Sequence, residues 1–285
     1  MGAAFLITLR EGLEISLVLA ILVSYLVKSN RRSDVVHVWK GSGVATGFCV
    51  VVGLLFHWFV GEFEGKSEQF IEGTIAIVAA GVLTWMIFWM RDHARNLGAE
   101  FRARVDAATT TRALVTIAFV AVLREGLETV LFLLSAETSS SSGSSVVIGG
   151  IAGLIVAAAL GRLVYAGGNR LNLRTFFNIT GAMLILFAAG LFGKFFHEYR
   201  ELLGFESGWL VSPAWSLSSG IWAKGTFYDF MKGFFGWTNE AENVRVIAYF
   251  AYLAPVAWLY LRRKGPRAVE KSAAPEAAEA SVVTG

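Results

Sequence analysis

The pentapeptide REGLE occurs twice in this chain, at Arg10 to Glu14 and again at Arg124 to Glu128. On an α-helix, Glu11 and Glu14 fall three residues apart and share one face, as do Glu125 and Glu128. Arg10 and Glu14 are four apart, as are Arg124 and Glu128, the spacing of an ion pair within one helix. Four carboxylates with no thiolate or imidazole beside them form an oxygen-rich donor set. That chemistry suits hard cations and disfavours copper(I) or a zinc thiolate site. The arginines do not balance the glutamates: two negative charges are in surplus, and such charges are costly to bury unpaired. A salt-bridge cluster that only fixed one helix against the other would not carry this surplus, so protons, water or a cation must meet it. Oxygen ligands alone leave calcium, magnesium, manganese and iron open. Gly12 and Gly126 leave a gap in side-chain cover through which another helix, or an ion, could approach the backbone.

The elements that carry these residues are unusual hosts for charge. The 285 residues are 55% hydrophobic and only 16% charged, with a formal net charge of +3 and a mean hydropathy of +0.57. Such a composition excludes an ordinary soluble domain and points to a polytopic membrane protein. Seven apolar runs are long enough to cross a bilayer core of about 30 Å: Ala3 to Val27, Val38 to Val60, Phe70 to Met90, Arg112 to Ser135, Val146 to Ala166, Thr175 to Phe196 and Val244 to Leu261. The expected fold is therefore all-α with seven transmembrane helices. Both REGLE motifs lie within about two turns of the middle of their runs at 1.5 Å per residue. A charge at that depth costs about 2.5–3.5 kcal/mol on insertion scales, so three in one helix cost roughly 8–10 kcal/mol gross. The first run has no basic segment before it and carries Arg10, Glu11 and Glu14, so it reads as a retained helix rather than a cleaved signal. Cys49, the single cysteine, lies in an apolar run and offers neither a disulfide framework nor a thiolate site.

Connections between the runs alternate in charge. Lys28, Arg31, Arg32 and Lys40 fill the first; Arg91, Arg95, Arg102 and Arg104 the third; Arg170 and Arg174 the fifth. Arg262, Arg263, Lys264 and Arg267 follow the last run, whereas the second and fourth connections are poor in basic residues. The positive-inside rule then places the N-terminus outside and the C-terminus in the cytoplasm. Residues 91–111 form a cytoplasmic loop on this reading, and the Ala/Pro/Glu tail, 264–285, is expected to be disordered. Residues 197–243 face outward and are rich in aromatic side chains, among them Trp209, Trp215, Trp222, Phe234 and Trp237, which suits a belt lying at the membrane interface. No basic patch with interleaved aromatics suggests nucleic acid.

An internal order recurs after each REGLE. Gly43 and Gly47 are followed by Ala79-Ala80-Gly81, and Gly149 and Gly153 by Ala188-Ala189-Gly190. Three helices per unit invert the second copy relative to the first. The expected plan is an inverted three-plus-three repeat, residues 1–90 and 112–196, with one more helix at 244–263. In transporters built this way the substrate site lies near the midplane between the repeats.

Two REGLE motifs, in the first and fourth of seven helices, resemble the oxidase-dependent high-affinity iron permease family. EGTIAIVAAGVLTWMIFWM (Glu72 to Met90) looks like that family's third helix, and FNITGAMLILFAAGLFGKFFHEYREL (Phe177 to Leu202) its sixth. The resemblance covers most of residues 1–263. It implies a plasma-membrane permease rather than an enzyme, with iron as transported substrate and no permanently bound cofactor. It further implies that Glu11, Glu14, Glu125 and Glu128 handle the metal, with Arg10 and Arg124 supporting them. An extracytoplasmic iron oxidase or iron-delivery proteins would be the partners. On this resemblance the expected kind is a compact bacterial permease, without the long acidic tail of fungal members or the N-terminal periplasmic domain of some bacterial ones.

Further candidates stand near the outer ends of the runs. Glu72, about a turn inside the third helix, and Glu137, His197 and Glu198 could bind incoming metal. Glu62, Glu64 and Glu68 would make an acidic mouth or a plain solvated loop. His57 reads as packing, and His37 and His93 carry no signal. Two rivals remain at this stage. A membrane di-metal oxidase would pair carboxylates for redox chemistry, but such bundles use Glu-x-x-His on two helices, and the third position after each first glutamate here is Glu14 or Glu128. A permease for another hard metal, such as manganese, fits the donor set equally well.

Overall fold

A computed structural model describes residues 1–93, 103, 107, 110–139, 143–165, 173–205 and 207–262. The basic residues Arg95, Arg102, Arg104 and Arg170, most of the 91–111 loop and the 264–285 tail lie outside the described residues. Eight α-helices carry the described chain: α1 (Gly2–Lys28), α2 (Val35–Val60), α3 (Lys66–His93), α4 (Thr111–Thr138), α5 (Gly143–Tyr165), α6 (Leu173–Leu202), α7 (Thr226–Phe235) and α8 (Asn243–Arg262). A short 3-10 turn, Arg32–Asp34, leads into α2.

Each of the seven apolar runs is the centre of a long helix, and most helices extend beyond the apolar stretch at one end or both. Polar residues can continue a helix outside an apolar stretch, because every backbone group is already paired within it. Among the described residues, five helices are long and apolar enough to cross a membrane: α2, α3, α5, α6 and α8. The other two long ones, α1 and α4, run 27 and 28 residues and contain the REGLE motifs. The protein is a multi-pass membrane protein built almost wholly of helices.

The long helices pack in crossed pairs. Helix α1 lies chiefly along α5, α2 along α4, and α3 along α6, with α1 and α4 also touching each other. Helix α8 packs on α6, where the Tyr260 hydroxyl donates to the Asn178 carbonyl at 2.9 Å. Small residues make the first two pairings close. A Cβ on Gly12 would sit 2.9 Å from Ala157 of α5, and one on Gly126 would sit 2.6 Å from Cys49 of α2. The REGLE glycines therefore admit a neighbouring helix. Gly153 and Gly149 press on the backbone of α1, at Phe5 and Met1 respectively. In α2, however, Gly43 and Gly47 touch nothing within 4 Å. The small residues on the face towards α4 are Gly41, Ala45 and Cys49, all buried.

Residues 197–243 are more ordered than an interfacial belt requires. Helix α6 continues to Leu202, and a two-stranded antiparallel hairpin pairs β1 (Pro213–Ser216) with β2 (Glu240–Glu242). Trp215 and Trp237 stack at 5.0 Å between ring centres. Helix α7 ends at Gly236, whose φ of 67° is left-handed, a conformation natural to glycine after a helix. Phe234 of α7 is buried, and Phe230 lies against Gly2 of α1. The aromatic segment is a folded cap on the end of the bundle that carries Met1.

Candidate metal centre in the membrane bundle

Arg10, Glu11 and Glu14 sit on the part of α1 that faces the bundle, and all three are buried, Arg10 to 1% exposure and Glu11 to 0%. The α4 motif is less enclosed: the Arg124 side chain is 39% exposed and that of Glu128 12%. Carboxylate oxygens of Glu11, Glu14 and Glu125 all lie within 4.8 Å of one another. Buried oxygens of Glu11, both of them, and one each of Glu14, Glu125 and Glu128 receive no hydrogen bond. Such groups are costly in a dry interior unless a cation or proton joins them. The fourth glutamate, Glu128, is held aside: Arg124 Nε donates to its Oε1 at 3.1 Å and lies 3.7 Å from Glu125 Oε1. On α1, Arg10 Nε is 3.3 Å from Glu14 Oε1. Each motif thus contains the i, i+4 ion pair that its spacing allows.

Arg124 is also held from its other side. Its guanidinium lies 4.8 Å from the Trp89 ring centre and 5.6 Å from that of Trp85. The stacked indoles of α3 therefore cover the cation where neighbouring backbone does not. Neither tryptophan was singled out by the sequence, because their i, i+4 spacing reads as an ordinary aromatic stripe.

Apolar side chains flank the glutamates on both sides along α1 and α4. Towards the Met1 end, Ile7 and Phe132, each one turn from a motif glutamate and fully buried, belong to one cluster with Ala76, Ala80, Ala136 and Leu191. Towards the other end, Leu22, Leu26, Leu114 and Ala118 form a second cluster with Val38. The carboxylates lie between two apolar layers.

The remaining candidates gather at the Met1 end. Lys194 of α6 donates from Nζ to Glu72 Oε2 at 2.7 Å and to the Thr138 carbonyl at 2.5 Å. It also lies 3.9 Å from Glu198 Oε1. Lys194 is 5% exposed and was missed in the sequence, although a lone lysine in an apolar run was the available signal. His197 Nδ1 is 3.3 Å from Glu242 Oε2, and its Nε2 is 3.7 Å from Glu201 Oε1. His197, Glu201 and Glu242 could offer three ligand atoms, yet Arg200 pairs with both carboxylates at 3.1 and 2.7 Å. Glu137 meets His57 at 3.1 Å, so His57 has a polar partner rather than a packing role alone. Glu62, Glu64 and Glu68 are exposed.

The model of the iron permease FTR1 family matches residues 1–262. The chain belongs to the iron permease FTR1 family. It is 36% identical over 278 residues to the ferrous iron permease EfeU of Escherichia coli O6:H1, covering 94% of this chain and 99% of that protein. It is 35% identical over 268 residues to the ferrous iron permease EfeU of Yersinia pestis, covering 91% of this chain and 93% of that one. The protein of the same name from Shigella sonnei is 36% identical over 263 residues, 90% and 93% of the two chains. No solved structure matches the chain. A permease family is a family of transporters, and the di-metal oxidase reading falls away.

Proposed function

We propose that this chain carries iron across the plasma membrane into the cytoplasm, and that Glu11, Glu14, Glu125 and Glu128 hold the ion on its way. One observation carries the reading: carboxylates of Glu11, Glu14 and Glu125, two buried and one half-buried, converge from two helices within 4.8 Å, with oxygens that receive no hydrogen bond. A hard cation would supply what those oxygens lack, and Glu128 would join them by turning from Arg124. Arg10 and Arg124 orient the carboxylates and offset part of their charge when the ion is absent. Iron is substrate here, and no resident cofactor is needed.

In this reading α1 and α4 cross the membrane with the other five long helices, the N-terminus outside and the C-terminus in the cytoplasm. The crossed pairing supports an inverted three-plus-three repeat. Exchanging α1 with α4, α2 with α5 and α3 with α6 turns the α1–α5 contact into the α4–α2 contact and leaves α3–α6 in place. Rocking of one repeat against the other would then open the enclosed carboxylates to each side in turn. Iron arrives as the ferric ion, or as ferrous iron freshly oxidised, from an extracytoplasmic oxidase or delivery protein. Glu72, Glu137, His197 and Glu198, all at the Met1 end, would receive it.

Radioiron uptake in cells tests the site directly. Glu14→Ala and Glu125→Ala are each expected to abolish uptake at normal membrane abundance, and near-normal uptake in either would sink the assignment. The oxygen donors suit manganese as well, and competition by unlabelled manganese against radioiron reads the preference.

A further inference from the structure

Among the described residues, Lys194 is the lysine seated between carboxylates at the Met1 end, and nothing about the central glutamates requires it there. Its Nζ is ringed by three elements: Glu72 of α3 at 2.7 Å, the carbonyl of Thr138 at the end of α4 at 2.5 Å, and Glu198 of α6 at 3.9 Å. These are two carboxylates and a backbone carbonyl, a set of oxygen donors that a hard metal cation would also accept. Glu72 and Glu198 are enclosed, with side chains 20% and 13% exposed. Immediately beneath the ammonium lies the apolar layer of Ala76, Ala136, Leu191 and Phe132, and beneath that the REGLE carboxylates. Charged groups that also act on Lys194 or Glu198 are Arg245 of α8, which repels the ammonium, and Glu201.

We propose that Lys194 is a tethered cation that occupies the outer metal-receiving position formed by Glu72, Glu198 and the Thr138 carbonyl, and that incoming metal must displace it. This rests on the permease reading above, and it adds a residue and a mode of action to it. While the ammonium is seated, it joins α3, α4 and α6 over the apolar layer. A metal ion that takes its place binds the same three donors, and the displaced Lys194 side chain swings off the apolar layer, which uncovers that layer where the route inward begins. Lys194 is a positioning residue: it acts through Glu72 and Glu198 and does not itself bind the metal. A plain structural tie would make its loss weaken the fold. A resident competitor makes its loss sharpen the response to iron.

Radioiron uptake by full-length protein in proteoliposomes, measured against iron concentration, separates these. Lys194→Gln removes the competing charge and is expected to lower the half-saturating iron concentration about tenfold, the scale of one charge-assisted hydrogen bond. Lys194→Arg keeps a cation in place and is expected to restore the wild-type value. An unchanged or raised half-saturation in Lys194→Gln, at normal abundance, overturns the proposal. Thiol labelling provides a second readout with Lys194 intact, which serves if the glutamine variant does not reach the membrane. In a Cys49→Ser background, Ala136→Cys is expected to react slowly with a membrane-impermeant thiol reagent and several-fold faster once ferric iron is added as its citrate. No acceleration overturns the proposal. If wild-type protein moves no iron at all, the permease reading itself fails. If the wild type transports, Glu14→Ala does not, and Lys194→Gln keeps the wild-type half-saturation, only the displacement fails.

Discussion

Glu11 is fully buried with two oxygens that receive no hydrogen bond, and this sets stability against function at a single position. A neutral amide of the same shape would relieve repulsion from Glu14 and Glu125. Glu11→Gln is therefore expected to raise the melting midpoint of metal-free protein by several degrees, about 1–2 kcal/mol, while abolishing uptake. Thermal melts of detergent-solubilised protein with and without added metal check both halves. Wild type should be stabilised by the ion, and the variant should not. At Arg124 the geometry rather than the charge is decisive. Its guanidinium reaches Glu125 and Glu128 while lying over Trp89, and a lysine ammonium cannot do both at once. Arg124→Lys is expected to reduce uptake about tenfold or more, measured as initial radioiron uptake at matched abundance. The motif residues were legible because six charges in apolar runs have few explanations. Lys194 was not, because a lone lysine in an apolar run names no partner until α3 and α4 are placed beside it.

Helices were read well by their apolar length, since a membrane helix satisfies its own backbone whatever its neighbours do. How the helices meet was not legible. Both Gly43/Gly47 and Gly41/Ala45/Cys49 present small residues four apart, and only packing against α4 distinguishes the buried stripe from the exposed one. The folded cap was illegible for a similar reason: β1 and β2 are four and three residues long and exist because distant stretches meet. Substitution at the glycines gives a contrast between elements. Gly153→Val puts its side chain into Thr8 and the backbone of α1, and overpacking there is expected to cost about 1–3 kcal/mol or more. Gly43→Val and Gly47→Val meet open space and are expected to change little. Membrane abundance and melting midpoint of the three variants check the pattern, and equal loss at all three would contradict the observed register.

The whole molecule encloses its charged centre between apolar layers at Ile7 and Phe132 on one side and at Leu22 and Leu114 on the other. The unequal charge count at that centre has an electrical consequence. With two arginines and four ionised glutamates the empty centre carries two surplus negative charges, and a divalent ion would cancel them while a trivalent ion would leave one positive. Displacing charge through a membrane potential is worth about 2.3 kcal/mol per elementary charge per 100 mV. A centre filled by a divalent ion would thus cross the field almost without cost, and the voltage would act on the return of the empty, anionic state. Under a trivalent ion the field would act on both halves of the cycle, so the dependence of uptake on an imposed potential in proteoliposomes would report the valence of the ion in transit.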